Sequence, residues 1–213
     1  MKVIFVVGTA NPDEKARGIG ARFSLDYNYF YQSLIYELGI LPENVHQLFF
    51  SSGGMGKYVS AMSVKNDLDG IILEEKKEDV CLVYIGHGQE NGWALTGSRD
   101  VETLTYEDLH LTFALHSGNL IFLNDCCFGG AGIAALANHS ADNLLISPLP
   151  ANNFGYAYSF LPALIRNWKE QKNYDPEKSG DNIDSKPVVF GNPDLQKLFF
   201  LSKIKHAVRG SHA

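Results

Sequence analysis

The sequence predicts an α/β protein, a three-layer α/β/α sandwich built on a mostly parallel sheet. Short apolar runs alternate with longer segments of helical spacing along most of the chain. The run over 80–86 is apolar almost throughout, the pattern of a parallel strand covered on both faces. Turn residues follow the runs at their C-terminal ends, Gly8 after the first and Gly86 within the third. With 213 residues and 45% hydrophobic content, the chain can bury a full core as one domain. Residues 1–208 are read as that domain and 209–213 as a terminal tail without assigned function.

The first strand is expected at Lys2–Val7, broken by Gly8-Thr9-Ala10-Asn11-Pro12. Apolar residues at helical spacing over 25–38 predict a helix, which Gly39 stops. A short strand over 45–50, a glycine-rich turn over 51–56 and a helix over 59–75 follow. After the strand over 80–86 comes a Gly/Asn-rich stretch with Trp93, then a helix over 103–116 entered through Thr105. A strand over 119–124, a helix over 129–136 and a strand at Asn143–Ser147 complete the regular alternation. The loop over 148–153 leads into an aromatic segment ending at Trp168. The polar run over 169–186 reads as a loop, 187–190 as an edge strand and 195–208 as a last helix.

Composition excludes several classes of function. Eighteen Lys and Arg against 24 Asp and Glu give a net charge of -6, with the two signs mixed along the chain. There is no basic stripe, so no nucleic-acid partner is expected. No run approaches the roughly 20 apolar residues needed to span a bilayer, and the run over 3–7 is too short for a signal-peptide core. No membrane association is expected. Three cysteines, two of them adjacent and none in CxxC spacing, form no disulfide framework; a reducing, cytoplasmic location fits them.

Two strand ends carry the chemistry. The run over 79–88 ends in Gly86-His87-Gly88, and the run over 119–127 ends in Asp125-Cys126-Cys127 and opens into Phe128-Gly129-Gly130. Adjacent parallel strands would deliver His87 and Cys127 to one sheet edge, where ligand sites gather. A cysteine attacks as its thiolate, which a neighbouring histidine and a helix beginning just beyond it both favour. His87 can take the thiol proton and later give one to the leaving amine. The backbone N–H groups of Gly88 and Cys127 are candidates for an oxyanion hole.

Cys81 and Cys126 are read as core residues, and His46, His110, His116, His139 and His206 as surface or capping residues. Asp125 ends a buried strand, where a lone carboxylate would be costly. Two readings stand: the floor of a pocket for a basic substrate side chain, or a carboxylate bonded to local backbone N–H groups. Gly8-Thr9-Ala10-Asn11-Pro12 and Gly53-Gly54-Met55-Gly56-Lys57 match no nucleotide-binding motif. His87, Cys126 and Cys127 lack structural-zinc spacing. Asp175, Glu177, Asp181 and Asp184 match no calcium loop; no cofactor is required, and calcium activation stays open without being evident from the sequence.

Tyr84-Ile85-Gly86-His87-Gly88 and Asp125-Cys126-Cys127-Phe128-Gly129-Gly130 together resemble the paired motifs of the caspase-like cysteine peptidases, the clan of caspases, metacaspases, legumains and clostripain-like enzymes. The metacaspase form is the nearest. Gly39, Glu43-Asn44-Val45 and Pro187-Val188-Val189-Phe190-Gly191 also resemble family segments, so the likeness covers roughly residues 2–191. The resemblance implies a caspase-like sheet and an endopeptidase with His87 as base and Cys127, not Cys126, as nucleophile. It implies that Asp125 selects Arg or Lys before the scissile bond, in peptide or protein substrates. Ser147, Asn152 and Asn153 would line the substrate groove.

Phe128-Gly129 replaces the family's usual His-Ser, which alters the pocket rim. The connection from Cys127 to the next strand is too short for a helix plus a long cleavable linker. The alternative function is a catalytically quiet caspase-like interaction or regulatory module, with Tyr156, Tyr158, Phe160 and Trp168 as its binding face. A small-ligand α/β binding protein is a third reading. Nothing in the sequence fixes the oligomeric state.

Overall fold

The computed structural model describes residues 1–8, 19–37, 39–49, 60–96, 101–139, 143–148, 151 and 188–191. In chain order these form β1 (Lys2–Val7), then α1 (Ile19–Gln32), which a π-helical turn over Ser33–Glu37 extends. A 3-10 turn at Pro42–Asn44 leads into β2 (Val45–Phe49), followed by α2 (Ala61–Glu74) and β3 (Val80–Ile85). Next come β4 (His87–Gln89), β5 (Gly92–Thr96), β6 (Val101–Thr105) and α3 (Tyr106–Phe113). The series closes with β7 (Leu120–Asp125), α4 (Gly130–Leu136), β8 (Asn143–Ser147) and β9 (Val188–Gly191).

Six strands form the main sheet in the order β2-β1-β3-β7-β8-β9. All pairings are parallel except that of β9, which runs antiparallel along β8. The period-2 alternation of the strands divides the core in two. Val3, Phe5, Cys81, Val83 and Ile85 pack with Phe23, Tyr27 and Phe30 of α1. Ile4, Val6, Leu82, Tyr84 and Phe122 pack on the opposite face with residues of α2, α3 and α4, including Leu68, Phe113 and Ile133. Helices therefore cover both faces of a mostly parallel sheet, the α/β/α arrangement the sequence predicts. Each fully buried aliphatic or aromatic side chain contributes about 1.5–3 kcal/mol.

Caps set two of the helix starts. Ser60 accepts from the Ser63 amide at 3.1 Å while Ser63 reaches back to the Ser60 backbone, and Thr105 and Asp108 make the same reciprocal box ahead of α3. Glu102 of β6 also accepts from the Ala61 amide, tying the start of α2 to that strand. Gly39 lies beyond the π-helical turn at φ +66°, where a side chain would be strained. Among the described residues no helix is long and apolar enough to cross a membrane.

Three elements depart most from the secondary structure the sequence predicts. Helix α1 is observed from Ile19, ahead of the expected start at 25. Residues 103–105 are strand, so α3 begins at Tyr106 behind its Thr105 cap. The Gly/Asn-rich stretch around Trp93 is a second, three-stranded antiparallel sheet, β4-β5-β6. Its strands are three to five residues long, too short for a clear period, and a Cβ on Gly92 would collide with the Leu104 carbonyl of β6.

At the edge where the parallel strands begin, His116 is a core residue and not the surface or capping one expected, with 1% of its area exposed. Its Nε2 lies 2.9 Å from the Glu78 carbonyl and its Nδ1 3.1 Å from His139 Nε2. A carbonyl only accepts, so His116 Nε2 carries a proton directed at Glu78, and Nδ1 shares the second hydrogen bond with His139. The rings stack at 5.3 Å, and Phe113 meets both edge-on. This pair ties together the segments that precede β3, β7 and β8.

Burial, followed by the neighbouring His116 and His110 charges, lowers the His139 pKa to about 4 from 6.5. Between those values the unfolded chain binds more protons than the folded one, so acid favours unfolding. The His139 contribution is complete above about pH 6.5 and is lost as pH falls toward about 4. Denaturant midpoints measured from pH 8 to 4 should therefore decline below 6.5, and His139→Phe should flatten that decline. Equal slopes in the two proteins would show that His139 is not the cause.

Candidate active site

Strands β3 and β7 are neighbours in the sheet, and their register pairs Ile85 with Asp125. His87 and Cys127 each stand two residues beyond that pair. The Gly86 amide still donates to the Asp125 carbonyl, at 3.3 Å, so the two chains leave the sheet together. Past this point a Cβ built on Gly88 would collide with the Cys127 carbonyl and lie 2.8 Å from Cys126 Sγ. The structure thus brings the His87–Gly88 and Cys126–Cys127 segments into backbone contact. Only glycine permits that approach.

His87 does not hang from a loop. It opens β4 and pairs with Ala94 of β5. Its ring packs edge-on against Phe23 of α1, centroids 5.1 Å apart. Its carbonyl accepts from the Tyr84 hydroxyl at 2.7 Å. Burial pushes the Tyr84 pKa well up, so the hydroxyl keeps its proton and stays a donor. Gly86 makes room for it, since a Cβ there would lie 2.6 Å from the Tyr84 hydroxyl oxygen.

The cysteine turn is tight. The Cys126 amide donates to the Asn124 carbonyl at 3.1 Å and the Gly129 amide to the Cys126 carbonyl at 3.3 Å. Phe128 sits at φ +56°, a left-handed conformation that costs a non-glycine residue about 1–2 kcal/mol. Such strain is held only where the surroundings over-determine it. A strained strand-to-helix turn that presents a nucleophile serves hydrolases of other folds as well.

The two adjacent thiols lie in different environments. Cys126 is 4% exposed, and its Sγ lies 3.4 Å from Asn124 Oδ1 and 3.7 Å from the Tyr106 hydroxyl. Burial raises its pKa well above the ordinary thiol value, which suits packing and not attack. Cys81, also in the core, is pushed up to about 12 by burial. Cys127 is partly exposed on the turn. The sequence reading of Cys81 and Cys126 as core residues agrees with these environments.

Asp125 ends β7 with 7% of its area exposed, and the alternation that places Ile121 and Leu123 on the α1 side puts it on that side too. Ser147 is fully buried, and a Cβ on Gly129 would collide with its hydroxyl, so Ser147 supports the cysteine turn from within. Asn152, Asn153, the aromatic residues Tyr156, Tyr158, Phe160 and Trp168, the acidic residues over 175–184 and the helix expected over 195–208 lie outside the described residues. Among the described residues no three His, Cys, Asp or Glu side chains are grouped to hold a metal.

Asn124 is the site residue that sequence reasoning does not single out. It sits fully buried in β7 and bonds to Trp93, Tyr106, Cys126 and the Gly129 carbonyl. A polar side chain inside an apolar strand, at the inward parity of Leu120 and Phe122, is the signal that could have found it.

No protein-family model and no curated protein matches the chain. Among the solved structures that resemble its trace are the following two. One is a secreted C11 cysteine protease from Bacteroides thetaiotaomicron in complex with an irreversible peptide inhibitor, 18% identical, TM-score 0.42, with 77% of this chain and 54% of that one covered. The other is Raptor from Chaetomium thermophilum, 12% identical, TM-score 0.47, with 84% of this chain and 20% of that one covered. The chain spans about half the length of the protease and a fifth of Raptor. Likenesses of this size decide neither its family nor its chemistry.

Proposed function

We propose that the protein is a cysteine endopeptidase that cleaves peptide bonds after Arg or Lys. The observation that carries this reading is the backbone contact between Gly88 and Cys127 at the ends of adjacent parallel strands. It sets a partly exposed thiol and an imidazole on neighbouring segments, each held by its own structural restraint.

In the proposed reaction His87 takes the Cys127 proton, and the thiolate sulfur bonds to the scissile carbonyl carbon. The carbonyl π electrons move onto oxygen, where the N–H groups of Gly88 and Cys127 are assigned to stabilise them. As the tetrahedral intermediate collapses, the C–N bond breaks and His87 protonates the departing amine. Water, deprotonated by His87, then attacks the thioester, and the sulfur leaves with its proton restored. The chemistry needs no metal or organic cofactor. A cytoplasmic location suits a free thiol nucleophile.

Asp125 is assigned to the basic preference. Asp125 is almost buried beside the cysteine turn, and a guanidinium or ammonium group reaching its carboxylate would add a charged hydrogen bond. Asp125→Ala should lower kcat/KM for Arg and Lys substrates roughly 30-fold, equivalent to about 2 kcal/mol for such a bond. Matched peptides with an uncharged residue before the scissile bond should be cut as before. An equal loss on all peptides would show that Asp125 supports the turn and selects nothing.

A further inference from the structure

We propose that Asn124 is a positioning residue for Cys127, and that it belongs to one buried network holding both the cysteine turn and the His87 backbone. This rests on the peptidase reading for its functional meaning, but its geometry stands independently.

Four contacts fix the Asn124 amide in a single orientation. The indole Nε1–H of Trp93 can only donate, so the atom 2.8 Å from it is Oδ1. The Gly129 carbonyl can only accept, so the atom 2.8 Å from it is Nδ2. Nδ2 also donates to the Tyr106 hydroxyl at 3.3 Å, and Oδ1 accepts from Cys126 Sγ at 3.4 Å. Burial raises the Tyr106 pKa, so that hydroxyl remains neutral. With the whole side chain out of water, each lost partner would leave a costly orphan.

The bond to Gly129 closes the far side of the turn. Cys126, Cys127 and Phe128 lie between the Asn124 backbone and the carbonyl its side chain grips, and Phe128 is the strained residue. Asn124 thus spans the turn that carries the thiol, and helps to hold Phe128 at positive φ.

The same amide reaches toward His87. Trp93 stacks face to face on Tyr84, centroids 4.2 Å apart and planes 6° from parallel. The Tyr84 hydroxyl in turn holds the His87 carbonyl. From Gly129 through Asn124, Trp93 and Tyr84 to His87 the contacts are continuous. A displacement of Asn124 would shift both reacting side chains relative to one another.

Asn124→Asp is the informative change, because it keeps shape and the acceptor for Trp93 but sets an oxygen against the Gly129 carbonyl. Trp93→Phe is the milder second variant, removing the N–H donor while keeping a stacking ring. Two rates are measured on folded protein well below its melting temperature: iodoacetamide alkylation of Cys127 at pH 7 by mass spectrometry, and kcat with KM on a cleaved peptide. The expected result for Asn124→Asp is alkylation slowed about tenfold and kcat lowered 10- to 100-fold at unchanged KM, since misplacement by about 1 Å has effects of that order. Trp93→Phe should show the same changes at roughly a third of the size on a logarithmic scale. If the variants fold and only their melting temperatures move, Asn124 is structural and the inference is overturned. Should Asn124→Asp fail to fold, wild-type rates in Trp93→Phe overturn it equally. Alkylation does not require turnover, so wild type that cleaves nothing refutes the peptidase reading while the alkylation rates still decide the role of Asn124.

Discussion

Cys127→Ala is expected to abolish peptide cleavage, with a loss of at least about 10³-fold in kcat/KM. The thiol stands partly exposed on the turn, so its removal should leave the unfolding midpoint nearly unchanged. The adjacent Cys126 gives the opposite signature. Its sulfur is buried against Tyr106 and Asn124, so Cys126→Ala should cost roughly 1 kcal/mol of stability while cleavage persists. His87→Ala should match Cys127→Ala in activity, because base and nucleophile act as one unit. Cleavage surviving in Cys127→Ala but lost in Cys126→Ala would reverse the assignment. Steady-state kinetics and thermal melts on the three purified variants decide between these outcomes.

Gly88→Ala should have the second-largest effect. The added methyl would collide with the Cys127 carbonyl, a backbone atom that cannot swing aside like the end of a side chain. Either β4 or the cysteine turn must move, and overpacking of this kind costs about 1–3 kcal/mol. Because the displaced segments carry His87 and Cys127, kcat should fall on the order of 10²-fold beyond any loss of folded protein. Gly70→Ala is the matching control. Nothing lies within 4 Å of its Cβ position in the middle of α2, so that change should stabilise the helix by about 0.5–1 kcal/mol and leave kinetics alone. Wild-type kcat in folded Gly88→Ala would mean that the contact does not bear on the chemistry.

The residues show which parts of this arrangement are legible in sequence. Val80–Ile85 and Leu120–Asp125 announce themselves because strands buried on both faces need continuous apolar residues. Gly86-His87-Gly88 and Cys126-Cys127 break that pattern at its end, which is why His87 and Cys127 stand out. The hairpin elements β4, β5 and β6 do not, since three to five residues hold too few periods to distinguish strand from turn. Trp93 therefore reads as an isolated aromatic, although it stacks on Tyr84 and bonds to Asn124.

Asn124 and His116 are hidden for a related reason. A polar side chain becomes informative when its burial is known, and burial depends on register and on neighbours distant in sequence. The Trp93 indole that satisfies Asn124 is 31 residues away, and the Glu78 carbonyl that satisfies His116 is 38 away. Gly88 is legible as a turn residue, but the need for its missing Cβ comes from the Cys127 carbonyl on the turn after β7, 39 residues on.

Mass-spectrometric detection of cleavage in a peptide library varied at the residue before the scissile bond decides whether the protein is a peptidase. Wild type and Cys127→Ala would be incubated with it side by side, with and without calcium. The expected result is cleavage after Arg or Lys by wild type and none by Cys127→Ala. A library left uncut by wild type in every condition would contradict the peptidase reading and favour a caspase-like interaction module.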